Sequence, residues 1–430
     1  MRWLPVGRTT EMHVLRWWRK MFRPPLFAVV FGTVLASLPA AAQPHTALFG
    51  EVDGIVKTLS EITGWQVRRK VPSEIVTRES FRKSIEDHTK GRSAEKEIHA
   101  EELALKLFGL VPQDFSLARE TVDLLDEQAA AYYDYKKKRL FILDSTPAGS
   151  EQRMALVHEL AHALADQQHP LGKYLDKGKP DSDESTAREA VMEGQATWLT
   201  WAYEEKLAGR KAEPSEDVLA PQDTDAPSDG SFPVLNAAPL YVRESLLFPY
   251  DSGARFQDAV YHRLGAKAFN EVFERGPAST QQVLHAGDYF DHKEPKAPEL
   301  PKLAVELGAQ ARDYRALIGG AVGEFDHEIL LQQYTDRDTA RAAAMHWRGG
   351  EFRVFEHKKE SAPVLLYASE WDSPEAARTF FSLYERVLQK KWKTMRVASR
   401  TATEITGTGD NGKFTVRIVG SGVQSIEGFK

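Results

Sequence analysis

The sequence predicts an α+β protein: a mainly helical domain with a small hairpin sheet ahead of one histidine-bearing helix, then a small C-terminal α+β domain. Apolar residues recur at helical spacing over most of the chain up to about Tyr334, as in Val52, Ile55, Val56, Leu59 and Ile62. One strand-like pair, AAAYYDYKKKRLFILD from Ala129 to Asp144, stands directly before the helical run ALVHELAHALADQQ, Ala155 to Gln168. Residues 336–430 change character: EFRVFEH, APVLLYASEW and FTVRIV alternate like strands around one helical stretch. The expected division is a leader over 1–42, a helical domain over 43–335 and the α+β domain over 336–430.

The leader reads as a signal peptide. Arg2, Arg8, Arg16, Arg19, Lys20 and Arg23 precede an apolar core, Leu26 to Leu38, and Ala40-Ala41-Ala42 offers a small-residue cleavage site. That core is short for a bilayer span, and no later run reaches the ~20 apolar residues a span needs. The expectation is an exported protein, periplasmic or secreted, with no stable membrane span once the leader is removed. With no cysteine in the chain, disulfides are excluded and stability has to come from core burial. Removing residues 1–42 takes away six basic side chains and one acidic one, moving the net charge from −6 to −11. An acidic mature chain argues against a nucleic-acid partner, whose phosphates need a basic footprint.

Taken in order, Val52 to Thr63 is an amphipathic helix and WQVRRKVPSEIV is extended, with Pro72 confining it to a sheet edge. The helical pattern returns from Ser80 to Leu110, ending at Gly109. The hairpin follows, an aromatic strand and an aliphatic strand around a basic turn at Lys136 and Lys137. After the histidine helix, HPLGKYLDKGKPDSD reads as loop and Ser185 to Leu207 as helix. Residues 208–232 are acidic and rich in Pro and Ser, a loop composition. LYVRESLLFPYDSGARFQDAVYHRLG reads as helix broken at Pro249 and Gly253, and two further helical stretches reach Tyr334. In the last domain DSPEAARTFFSLYERVLQ opens as a helix should, with Asp or Ser ahead of Pro374.

The chemistry lies in His158, Glu159 and His162, spaced as H-E-x-x-H. Positions four apart stack on one helix face, so both imidazoles can bind one metal ion with Glu159 beside them. Two neutral histidines suit zinc, which lowers the pKa of a bound water to about 7, and the adjacent carboxylate can take that water's proton. A solvated His/Glu face is the plain alternative. It is disfavoured because this motif falls on an apolar helix just after a strand. Zinc needs a third protein ligand. A His₃ arrangement fails, because its glycine and third-histidine places hold Ala165 and Gln168, and His169 is one position late. Asp166, one turn beyond His162, lies too far along the same helix to close a tetrahedron and reads as a surface or supporting acid. That leaves a glutamate from the 185–207 helix, Glu189 or Glu193, one turn apart.

HELAH followed by EGQA resembles the gluzincins, the thermolysin and aminopeptidase N class of zincin-like metallopeptidases, in which a distant helix supplies the glutamate. In the aminopeptidase branch that glutamate is followed by Gly and often, two residues later, by Ala, as in Glu193-Gly194-Gln195-Ala196. The resemblance therefore implies His158, His162 and Glu193 as zinc ligands, Glu159 as general base, and Glu189 as a supporting acid. The thermolysin pattern would instead put Glu189 on the metal. Gly194 is expected to let the two metal-site helices approach closely. The chain also resembles a group of exported bacterial metallopeptidase-like proteins sharing an aromatic hairpin, HELxHALxDQ, EGxA, FPYxxG, STxQVLH and WDxxxEA. Here these read YYDYKKKRLFIL, HELAHALADQQ, EGQA, FPYDSG, STQQVLH and WDSPEA, across roughly residues 80–430. Departures fall at the hairpin turn, where a Pro-containing turn is usual, and at QQHPL. Glu193 follows His162 by 31 residues, more than in aminopeptidases, so the connecting loop differs. By analogy with the Tyr and His of thermolysin-like sites, Tyr250 and His285 are candidates to stabilise the developing oxyanion.

The function so implied is an exported, zinc-dependent peptidase acting on a peptide or protein, which would add to the hairpin edge as an extra strand. Two rivals stand beside it: a non-catalytic exported binding or assembly factor keeping the fold, and a metal-dependent hydrolase of cell-wall amides.

Overall fold

The computed structural model describes the backbone of residues 26–29 and residues 46–146, 149–178, 183–220, 232–360 and 362–429. Apart from Leu26–Val29, the expected leader lies outside the described residues. The fold is α+β, helical in its first three quarters with an antiparallel sheet at the C-terminus.

Four short strands, β1 (Leu26–Val29), β2 (Ser73–Val76), β3 (Ala129–Asp134) and β4 (Arg139–Leu143), form the first sheet in the order β1-β3-β4-β2. β3 and β4 are the expected hairpin, pairing Tyr132 with Phe141 and Tyr133 with Leu140. Its turn contains neither Gly nor Pro. Instead Asp134 Oδ1 accepts the N–H groups of Lys136 and Lys137, each at 2.9 Å, an Asx-type closure that lets Lys138 take φ 54°. β2 follows Pro72 and runs parallel to β4 at the sheet edge. The helical pattern read from Ser80 to Leu110 is two helices, Arg78–Thr89 and Arg92–Phe108. Gly91 between them takes φ 118°, a backbone that side chains rarely adopt.

Three long helices sit at the centre: the histidine helix (Ser150–Gln168), the glutamate helix (Asp183–Leu207) and the tyrosine helix (Leu240–Leu264). Every residue from Ala155 to Gln167 is buried, so the histidine helix is enclosed on all sides. The segment expected as a loop after it forms a short helix, Leu171–Lys177. The tyrosine helix is continuous, against the expectation of breaks at Pro249 and Gly253. Proline removes one N–H from the ladder, and here packing outweighs that loss: Phe248, Pro249, Tyr250, Ser252, Gly253 and Ala254 are all buried.

The second sheet has seven strands: β5 (Tyr314–Ala321), β6 (Trp347–His357), β7 (Pro363–Trp371), β8 (Arg396–Arg400), β9 (Glu404–Gly409), β10 (Gly412–Val419) and β11 (Gly422–Phe429). Their order is β5-β6-β7-β11-β10-β9-β8, every neighbouring pair antiparallel. β5 lies in a stretch expected to be helical and ahead of residue 336, where the C-terminal domain was expected to begin. Only Ile318 of this edge strand is buried, so it carries no clear alternation to read. The helix Pro374–Lys391 starts as expected, with the Ser373 side chain accepting from the Ala376 N–H. Its Phe380 stacks on Trp371 of β7, and its Tyr384 ring lies tilted 5.5 Å from that of Tyr367. One continuous core runs from Leu59 through Leu160, Trp198 and Phe256 to Trp347, Tyr367 and Val416. Phe108 crosses into the sheet, its ring 5.2 Å from Phe352 and 5.6 Å from Tyr367. Among the described residues no helix is long and apolar enough to cross a membrane.

Candidate metal centre

The helical spacing of His158 and His162 puts their Nε2 atoms 3.0 Å apart with the rings nearly perpendicular. Glu193 reaches across from the glutamate helix, its Oε2 3.1 Å from His158 Nε2 and 3.3 Å from His162 Nε2. Three donors from two helices thus meet at one point, all buried. Glu159 is fully enclosed on the same side, and one carboxylate oxygen of it lies within 4.8 Å of a ring nitrogen of each histidine. No partner strand is needed to assemble this cluster, but β3 borders it: the Tyr133 N–H donates to Glu159 Oε2.

Burial disfavours the imidazolium and pushes the His158 pKa down, toward the neutral ring that binds metals. Burial works against the charge of Glu193 too, but His162 and His158 together outweigh it and hold its carboxyl at about 2. The set is two imidazole nitrogens and a carboxylate, borderline and hard donors suited to zinc. Tyr250 of the tyrosine helix stands over this group, its ring 5.8 Å from that of His158. Burial, with the carboxylates of Glu193, Glu159 and Glu189 around it, raises its phenol pKa well above the ordinary value. It stays protonated and can donate a hydrogen bond. Glu189, one turn before Glu193, is half-buried and close enough for its charge to act on Tyr250.

His285 stands differently. Its Nε2 pairs with Glu324 Oε1 at 2.6 Å, and that carboxylate raises its pKa despite partial burial. Glu324, itself buried, also accepts from Gln281 Nε2 at 2.8 Å. The hydrogen bond of His285 thus goes to the helix Glu324–Tyr334 rather than to the histidine pair. Asp166 is not a surface acid: its side chain is fully enclosed and accepts from Tyr133 Oη, Lys138 Nζ, Arg69 Nη2 and the Leu171 N–H. The next two residues of the motif also face protein. Gln167 Oε1 accepts the Arg68 and Arg69 N–H groups, and Gln168 Nε2 donates to Gln66 O. Sequence reasoning missed Tyr133 as a contact of Glu159. The hairpin was visible, but its register against the helix had no local signal.

Gly194 serves another contact than the expected one. A Cβ there would lie 2.0 Å from the Gly253 carbonyl carbon, and one on Gly253 would lie 2.1 Å from Ala190 O. The close approach is between the glutamate and tyrosine helices, so this crossing fixes Glu193 relative to Tyr250. Comparison with known proteins bears on a different part of the chain. A family model described as a domain of unknown function, DUF8575, matches residues 315–429, from β5 to β11. No curated protein matches the chain, and neither does a solved structure.

Proposed function

We propose that this chain is an exported zinc peptidase with a gluzincin-like centre, in which His158, His162 and Glu193 hold the ion and Glu159 is the general base. The observation that carries the reading is the meeting of two Nε2 atoms and one carboxylate oxygen at separations of 3.0, 3.1 and 3.3 Å. Ligands about 2.0–2.1 Å from a tetrahedral zinc are separated by about 3.3 Å, so the donors fit the ion with little movement. Zinc in such a site supplies Lewis acidity and a water acidified to about pKa 7.

The chain's own groups do the rest. Glu159 takes the proton of the attacking water and passes it to the leaving amine. The Tyr250 hydroxyl donates to the developing oxyanion, in a buried setting where such a bond is stronger than in water. β3 offers its outer edge to an extended peptide; in the structure β1 pairs antiparallel along it, Leu26 opposite Tyr133 and Phe27 opposite Tyr132. A fully enclosed carboxylate beside the ligands favours catalysis over a purely structural metal or a non-catalytic binding role, since holding the ion does not require it.

The test is incubation of the mature chain, residues 43–430, with a mixed peptide library, with and without chelator, alongside Glu159→Gln. Hydrolysis is expected only without chelator. Glu159→Gln should keep its zinc and lose roughly 10²–10⁴-fold in rate. Cleavage at an unchanged rate in chelator, or by Glu159→Gln, would refute the assignment.

A further inference from the structure

Tyr133 touches the histidine helix at two points. Its backbone N–H donates to Glu159 Oε2 and its hydroxyl to Asp166 Oδ2 at 2.9 Å. Positions 159 and 166 are about two turns apart and share a face. The direction of the N–H is set by the sheet. Leu140, the cross-strand partner of Tyr133, gives its own N–H to Pro72 on the far side. The two residues are therefore a non-hydrogen-bonded pair, whose N–H groups point out of the hairpin, and that of Tyr133 is directed at Glu159. Asp166 in turn is a junction: Lys138 Nζ approaches to 2.6 Å, Arg69 Nη2 to 3.1 Å and the Leu171 N–H to 3.1 Å. It ties the hairpin turn, the segment before β2 and the chain leaving the histidine helix to one enclosed carboxylate.

We propose that Tyr133 is the positioning residue of Glu159, and that Asp166, one turn beyond the second histidine, is the anchor that sets it. The catalytic consequence rests on the peptidase reading; the structural one does not. Tyr133 acts through Glu159, whose carboxylate it orients by a backbone bond that no substitution at 133 except proline removes. The hydroxyl–Asp166 bond fixes how far along the helix β3 sits, and so where that N–H points. If Asp166 were only a folding anchor, removing the hydroxyl would lower stability and leave the turnover of folded protein unchanged.

The experiment uses Tyr133→Phe, which keeps the ring and the N–H. Zinc content should match wild type and KM should stay within about twofold, while kcat falls about tenfold, as for loss of a supporting contact. In metal-free protein, amide hydrogen exchange at residue 133 should speed about tenfold both in Tyr133→Phe and in Glu159→Ala, which removes the acceptor. Lys138→Met, which leaves Tyr133 intact and takes one donor from Asp166, should move both readouts the same way and serves if Tyr133→Phe does not fold. A wild-type kcat in folded Tyr133→Phe, or unchanged exchange at residue 133 in Glu159→Ala, would overturn the proposal. The exchange measurement needs neither metal nor substrate, so it decides the Tyr133–Glu159 contact and its dependence on Asp166 even if the chain cleaves no peptide.

Discussion

A phenol enclosed among three carboxylates keeps its proton, and this gives Tyr250 its place in the account. Its hydroxyl hydrogen-bonds the Glu193 carboxylate, so on the peptidase reading Tyr250→Phe should keep one zinc per chain and lower kcat by roughly 10²-fold, the scale of losing one oxyanion donor. Steady-state kinetics with parallel metal analysis checks this; a weakened metal with unchanged kcat would contradict it. At this scale the sequence is informative where local geometry decides. His158, Glu159 and His162 were legible because four residues of helix fix their relation whatever surrounds them. Glu193, whose carboxylate meets the histidine pair, was legible only as one of two candidates, since it lies 31 positions after His162 and only the EGQA resemblance ranks it above Glu189. The partner of His285 was not legible at all: Glu324 lies 39 residues away on an unrelated helix.

Between elements, the deciding contact is the crossing of the glutamate and tyrosine helices at Gly194 and Gly253. Each glycine was visible in its motif, but which helix each one faces depends on a packing that no local pattern encodes. The same limit explains Pro249, whose local meaning, a broken helix, is overridden by burial on the neighbouring turns. Gly194→Ala places a methyl group where Gly253 backbone stands, so the helices must separate. The expected cost is about 1–3 kcal/mol of stability, with weaker zinc binding because Glu193 is the adjacent residue. Gly287→Ala, with nothing within 4 Å of its Cβ, is the control and should stay within about 0.5 kcal/mol of wild type. Denaturant unfolding of both variants checks this, and equal midpoints would show that the crossing tolerates separation.

At the scale of the whole molecule, the helical part and the C-terminal sheet share a core and are pinned by a buried ion pair. Lys391 and Glu427 have side chains only 2% and 4% exposed and meet at 2.7 Å. Lys391 also donates to Leu107 O of the helix Arg92–Phe108, and Glu427 accepts from Tyr384 Oη. Lys391→Met leaves Glu427 short of its counter-charge and should cost about 3–5 kcal/mol. Unfolding should stay a single transition, and two separated transitions would show that the sheet folds independently of the helical part. None of this long-range pinning was legible, since Lys391 sits in a run of basic residues, KKWK, that reads as solvated surface. The alternating strands β6, β7 and β10 were read, whereas the edge strands β5 and β8 carry too little burial to show a pattern. On the peptidase reading, these features bear on function by holding together the three central helices that carry His158, Glu193 and Tyr250. Zinc affinity measured for wild type, Glu193→Ala and Glu189→Ala in one buffer therefore tests the account most directly. One zinc per chain in the wild type, with Glu193→Ala weakening it far more than Glu189→Ala, is the predicted result. No stoichiometric zinc, the reverse order, or no effect from either substitution would contradict it.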